Sequence, residues 1–271
     1  MRRLILLSVL VCALGATPAQ AASPPPANAG FDYQIGGDYA LPAGVEVVSR
    51  DWFIGAAPAG AYAICYVNAF QTQDDEGGVA RRDERSAWPD DLVLSRLGDD
   101  PNWGGEYLVD ISTARKRKQA ANWIQPMIRT CKRKGFKAVE YDNLDSWTRF
   151  DDTPREGDVP FGKRDAIAFA AILAKRAHRL GLAVGQKNTV ELTRRQARRR
   201  IRFDFAIAEE CGRYGECGGY RRLYGDRVIA IEYRREDFDK TCQSVGAHVS
   251  VVLRDRNVTR PGSDSYVYDR C

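Results

Sequence analysis

The sequence predicts a closed (β/α)8 barrel folded as a single domain. Three observations lead there: short β-rich runs alternate with helical stretches, several of those runs are apolar on both faces, and no glycine-rich phosphate turn is present. Strands buried on both sides and interleaved with helices belong to parallel sheets. The open doubly wound sheet is the alternative, and it usually carries a G-x-G-x-x-G or P-loop turn.

The β-rich runs are 45–50, 62–67, 107–111, 136–141, 182–186, 203–208, 228–233 and 249–253. VIAIEY (228–233) and HVSVVL (248–253) show the two-sided apolar pattern. Residues 33–35 are a ninth candidate for eight places. Helical patterns cover 118–134, 163–180, 191–200 and 236–243. At 271 residues the chain is long enough for one barrel, which typically needs about 250.

The N-terminus reads as an export leader. Arg2 and Arg3 precede an apolar run from Leu4 to Leu14, and Ala19-Gln20-Ala21 has the form of a cleavage site. The expected organisation is a signal peptide at 1–21, a flexible lead-in at 22–30 and the barrel at 31–271. Cys12 falls in the apolar run. No later run approaches the roughly 18 apolar residues of a membrane helix, so the mature chain is expected off the membrane, secreted or extracytoplasmic.

Six cysteines follow the leader: Cys65, Cys131, Cys211, Cys217, Cys242 and Cys271. An even count in an exported chain points to disulfides, and the short Cys211–Cys217 spacing favours that pair. Zinc binding fits poorly, because there is no C-x-x-C and His178 and His248 are isolated. Neither metal nor cofactor is expected. The net charge is +5, and losing Arg2 and Arg3 with the leader leaves it near +3, too weak a bias to imply nucleic acid or another polyanion. The basic run 194–202 (RRQARRRIR) lacks base-stacking aromatics and reads as a solvated helix face. Asn257-Val258-Thr259 matches a glycosylation sequon.

Acids cluster where β-rich runs end: Asp51, then Glu140, Asp142 and Asp145, then Glu209 and Glu210, then Glu232, then Asp255. In a barrel the C-terminal strand ends share one mouth, so these acids converge. Side chains alternate along a strand, which puts Ala138, Glu140 and Asp142 on one face. With that face inward, Asp142 sits at the mouth and Glu140 one layer deeper, where it needs a partner. Strict alternation at 203–210 turns Ala206, Ala208 and Glu210 inward, but strand ends twist, so Glu209 and Glu210 both stay open. Paired carboxylates across a cleft are the apparatus of glycoside hydrolysis. A serine triad lacks a placed histidine. Lys187 and Asn188 end another strand at the mouth. Trp103, Tyr107, Trp147, Tyr214 and Tyr233 are near enough in sequence to these segments to stack on sugars.

These segments also resemble the endo-alpha-1,4-polygalactosaminidase family, glycoside hydrolase family 114. The likeness runs in order through FDYQIGGDY (31–39), VVSRD (47–51), ICYVNAFQTQ (64–73), GEYLVDI (105–111), GFKAVEYDNLD (135–145), GLAVGQKN (181–188), FDFAIAEEC (203–211), VIAIEY (228–233) and VVLRDR (251–256). The resemblance implies a TIM barrel, secretion and cleavage of α-linked galactosamine polymers. It implies Asp142 as nucleophile and Glu209 as acid/base. The expected substrate-binding set is Asp51, Tyr66, Glu140, Asn143, Lys187, Glu210 and Glu232. Ala208 stands where the family is expected to carry Asn, a departure bearing on contacts to the sugar's C2 substituent. An acidic mouth suits a cationic amino-sugar polysaccharide as partner. A barrel that binds carbohydrate without cutting it is the competing class.

Overall fold

The computed structural model describes residues 22–73 and 88–271. Eight strands run parallel and pair in chain order: β1 (Phe31–Gln34), β2 (Val47–Asp51), β3 (Tyr62–Asn68), β4 (Ala138–Asp142), β5 (Ala183–Lys187), β6 (Phe205–Glu209), β7 (Val228–Glu232) and β8 (Ser250–Arg254). A ninth, β9 (Tyr268–Arg270), returns antiparallel to β8. The helices α1 (Ala114–Arg133), α2 (Lys163–Arg179), α3 (Cys217–Tyr224) and α4 (Arg235–Val245) cross over between strands from β3 onward. A π-helical segment, Arg195–Ile201, joins β5 to β6. The architecture is a single (β/α)8 TIM barrel, as the sequence predicts.

The helices form where the pattern and caps agree. In α1, Ala120, Ala121, Ile124, Met127, Ile128 and Cys131 recur at helical spacing and are buried. The Thr113 side chain caps its start by accepting the Lys116 N–H. The apolar faces of such helices and the outward faces of the strands make one core, while Phe31, Val47, Ile64, Ala138, Phe205 and Ile229 belong to a second core inside the barrel.

β1 and β8 lie side by side, and side chains stitch this seam. Arg254, wholly buried at the end of β8, donates to Asp32 Oδ1 at 3.0 Å and to the Tyr33 carbonyl. It also holds the Thr259 carbonyl at 2.7 Å and the Val267 carbonyl at 3.0 Å. A buried guanidinium needs its donors satisfied, and this one spends them on tying the last strand to the first.

Several expectations need correction. Residues 31–34 supply the first barrel strand, whereas 107–111 supply none. That run lies in the long β3–α1 connection, where Leu108 and Val109 make isolated bridges to Gln71 and Val93. Its apolar residues are buried under that connection rather than in the barrel wall. Helix α3 escapes the pattern because Gly218 and Gly219 sit in it. Within residues 22–30, Pro25 and Ala29 are buried and the Tyr62 hydroxyl donates to the Ser23 carbonyl at 2.6 Å, while Pro26, Ala27 and Asn28 are exposed. The expected leader at 1–21, with Cys12, lies outside the described residues.

Three disulfides pair all six remaining cysteines: Cys65–Cys131, Cys211–Cys217 and Cys242–Cys271. Among the described residues no helix is long and apolar enough to cross a membrane.

Candidate active site

The C-terminal strand ends open into one cleft of about 1210 Å³. Strand parity decides which side chains enter it. On β4, Ala138 and Glu140 face the barrel interior and Asp142 follows them to the mouth, while Val139 and Tyr141 pack outward. On β6 the inward residues are Phe205, Ile207 and then Glu209, with Ala206 and Ala208 outside. The expectation that Ala206, Ala208 and Glu210 turn inward is therefore reversed. The large Phe205 ring fits inside because its neighbour is Gly185, where a Cβ would stand 3.0 Å from the ring. Ala208 is buried in the outer core and does not line the cleft.

Lys187, at the inward end of β5, organises the site. Its ammonium lies 3.0 Å from Glu140 Oε1, 3.3 Å from Asp142 Oδ1 and 3.4 Å from Glu209 Oε2. The Tyr33 hydroxyl is 2.9 Å away and donates to Glu140 at 2.8 Å. Ser49 donates to the other Glu140 oxygen at 2.8 Å. Glu140 thus has the partners that its burial requires. Burial opposes the charge of Lys187, yet Asp142, Glu209 and Glu140 outweigh it and hold its pKa well above the ordinary lysine value. Burial likewise pushes the Glu140 carboxyl up, against the pull of Lys187.

Asp142 shows the opposite balance. Burial works to raise its pKa, but Lys187, the Tyr66 hydroxyl at 2.6 Å and the Asn143 N–H at 2.8 Å hold it below the usual aspartate value. An ionised carboxylate at the mouth can act as a nucleophile or base. Glu209 is held from two sides: Tyr233 donates to Oε1 at 2.5 Å and Asn188 to Oε2 at 3.0 Å. Asn188 also accepts the Glu209 N–H at 2.8 Å, which fixes the strand end.

The predicted substrate-binding residues divide. Tyr66, Asn143 and Glu210 line the cleft. Glu140 and Lys187 do not; they lie beneath the two carboxylates, almost wholly out of solvent. Asp51 is buried and accepts the Gln73 side chain at 2.7 Å, and Gln73 in turn lines the cleft. Glu232 faces away from the mouth because Ile229 and Ile231 take the inward positions of β7. It holds the Gly212 N–H at 2.7 Å and Thr241 at 3.3 Å beneath the Cys211–Cys217 loop. Gly212 is needed for that approach, since a Cβ there would stand 1.6 Å from Thr241 Oγ1. Glu210, in a left-handed conformation with φ 53°, turns to the rim and pairs with Arg213 at 2.6 Å.

Sequence reasoning missed Glu106 and Arg149, both in the cleft wall. Burial and the nearby Asp142 push the Glu106 carboxyl up to about 8, although Asn68 donates to it at 3.0 Å. Arg149 reaches the buried Asp100 at 3.1 Å and Asn143 Oδ1 at 2.7 Å. Both come from connections whose course no strand pattern reveals. Of the five aromatics expected to stack on sugars, Trp103, Tyr214 and Tyr233 line the cleft, joined there by Tyr66 and Tyr220. Neither histidine is near it: His178 pairs with Asp204 at 2.8 Å, and His248 lies 3.9 Å from Asp226. Cys211, Cys217 and Glu232 are close enough to surround an ion, but the two sulfurs are bonded to each other.

Comparison with known proteins accords with this geometry. The crystal structure of Aspergillus fumigatus Ega3 in complex with galactosamine superposes with a TM-score of 0.72 at 20% identity, covering 95% of this chain and 100% of that one. The glycoside hydrolase domain of PelA from Pseudomonas aeruginosa gives a TM-score of 0.54 at 14% identity, covering 88% and 98%. These likenesses show the barrel. A search of curated proteins finds no match. The model of glycoside-hydrolase family GH114 matches residues 13–271, nearly the whole chain. The chain belongs to glycoside-hydrolase family GH114 and is a glycoside hydrolase.

Proposed function

We propose that the protein cuts α-1,4-linked galactosamine polysaccharide within the chain, with retention of configuration. The observation that carries this reading is that Asp142 and Glu209 face one cleft from two sides of a single buried ammonium. Two oxygens each within 3.4 Å of one nitrogen can be no further apart than twice that distance. This bound accommodates the retaining separation, roughly 5–5.5 Å, and only the lower edge of the inverting range, roughly 6.5–9.5 Å.

Asp142, ionised and fixed by Tyr66, attacks the anomeric carbon as Glu209 protonates the departing glycosidic oxygen. Water, deprotonated by Glu209, then releases the sugar from Asp142. With Glu209 carrying the proton it donates, Asp142 and Glu140 still face the single positive charge of Lys187, an arrangement that favours an ammonium-bearing sugar. The Ega3 complex with galactosamine supports that choice. The cleft volume exceeds a typical small-ligand pocket, about 300–1,000 Å³, which suits several sugar rings at once and internal cutting. The predicted leader and the three disulfides favour action outside the cytoplasm.

The test is incubation with α-1,4-galactosamine polymer, with product sizes read by mass spectrometry and the first-formed anomer by NMR. Short internal fragments with an α reducing end are expected, and Asp142→Asn should form none. Glu209→Gln should still cleave glycosides with good leaving groups, which need little protonation. A polymer left intact would overturn the substrate, and an initial β anomer would overturn the retaining mechanism.

A further inference from the structure

Among the described residues only three large hydrophobic side chains are well exposed, and two of them, Trp103 and Tyr214, line the cleft. Each carries a guanidinium on one face: Arg256 lies 5.2 Å from the Trp103 ring centre and Arg213 lies 5.2 Å from that of Tyr214. The two plates differ in charge. Arg213 is neutralised by Glu210 at 2.6 Å. Arg256, and Arg260 beside it in the same wall, have no carboxylate partner among the described residues. The sector around Tyr214 also holds Glu191 and Glu216. On the Trp103 loop itself, Asp100 accepts the Trp103 N–H and pairs with Arg149 at 3.1 Å, and Asp99 accepts the Gly105 N–H at 3.0 Å, so the unpaired charge that lies against the indole is that of Arg256.

Resting on the galactosamine reading above, we propose that Trp103 and Arg256 form a subsite that selects an uncharged, N-acetylated sugar within an otherwise cationic chain. The indole has one face taken by Arg256 and is 38% exposed, so a sugar ring can stack on the other face. An ammonium on that ring would meet the unpaired positive charge of Arg256 across a short distance. An acetamido group carries no charge and escapes this repulsion. The enzyme would then cut at a free amine and read an acetyl group a fixed number of residues away.

The experiment uses α-1,4-galactosamine oligomers of one length, either fully deacetylated or with a single N-acetyl group at a known position. Binding to Asp142→Asn is measured by calorimetry and cleavage by the wild type by mass spectrometry. One acetylated isomer should bind about 10-fold tighter than the deacetylated oligomer, and its acetyl group should fall at a constant distance from the cut. Adding Arg256→Gln should shrink the preference to about 2- to 3-fold by improving binding of the deacetylated oligomer. Trp103→Ala should weaken the acetylated isomer most, and Trp103→Phe should restore part of the loss. Equal binding of all isomers, or a preference untouched by Arg256→Gln, would overturn the subsite while leaving the hydrolase reading intact. If no oligomer binds or is cut, the galactosamine reading itself fails, and this proposal with it.

Discussion

The Lys187 ammonium lies 3.0 Å from Glu140 Oε1, with 1% and 0% of the two side chains exposed. This ion pair forms the floor of the site, and the same ammonium then reaches up to Asp142 and Glu209.

Lys187→Met should therefore act twice. It strands Glu140 in the interior, which costs about 3–5 kcal/mol when a buried pair loses one member. It also removes a charge that lowers the pKa of Asp142, so that pKa rises and the acid limb of the kcat/KM profile moves to higher pH. Lys187→Met with Glu140→Gln should regain much of the stability in urea denaturation, because neither partner is left charged. Its activity should stay low.

Glu106 should make stability fall as pH rises. Its folded pKa, about 8, lies above the ordinary glutamate value, so folding favours the protonated form. The stabilising proton is kept below the ordinary value and lost progressively as pH climbs through about 8. Glu106→Gln should match the wild type near pH 4 and melt higher than it near pH 9. Each kcal/mol gained corresponds to roughly 2–4 °C in a protein of this size. Thermal melts across that range check the sign.

The disulfides should differ in what they protect. Cys65–Cys131 spans 66 residues and ties β3 to α1, and loop-closure entropy assigns it about 4 kcal/mol. Cys211–Cys217 spans 6 residues and is worth about 2 kcal/mol on the same basis. The shorter bridge shapes the loop that carries Tyr214 and Glu216 into the cleft. Replacing it with serines should raise KM more than it lowers Tm. Replacing Cys65 and Cys131 should do the reverse.

The basic segment should matter for folding and not for substrate. Arg198 donates to the Phe203 carbonyl and stacks 5.1 Å from the Tyr224 ring, while Arg199 and Arg200 are exposed. Arg199→Gln with Arg200→Gln should leave KM within about 2-fold and stability within about 0.5 kcal/mol. Arg198→Gln should lower Tm by a few degrees, roughly the loss of one capping contact, with KM unchanged.

Much of this was legible because alternation was unambiguous where it mattered. On β4 the small and acidic residues share one face and Val139 and Tyr141 the other, so Glu140 and Asp142 could be ranked by depth. On β6 the same reasoning favoured the alanines for the interior, and the answer lay in another strand. Gly185 on β5 leaves room for Phe205, which carries Glu209 inward. Glu232 looked like its neighbours at the mouth, but one position of parity turns it toward Thr241. Glu106 was invisible for a different reason. It meets Asn68 across 38 residues, through a connection with no periodic pattern to project.

The wall that holds Arg256 also holds Asn257, exposed and facing the cleft, in the Asn257-Val258-Thr259 sequon. A host whose secretory pathway attaches N-glycans there would root a branched oligosaccharide in the cleft proposed to take the polymer. Enzyme made in yeast would then be blocked by its own decoration. Bacterial production, Asn257→Gln, or trimming with an endoglycosidase would clear the entrance.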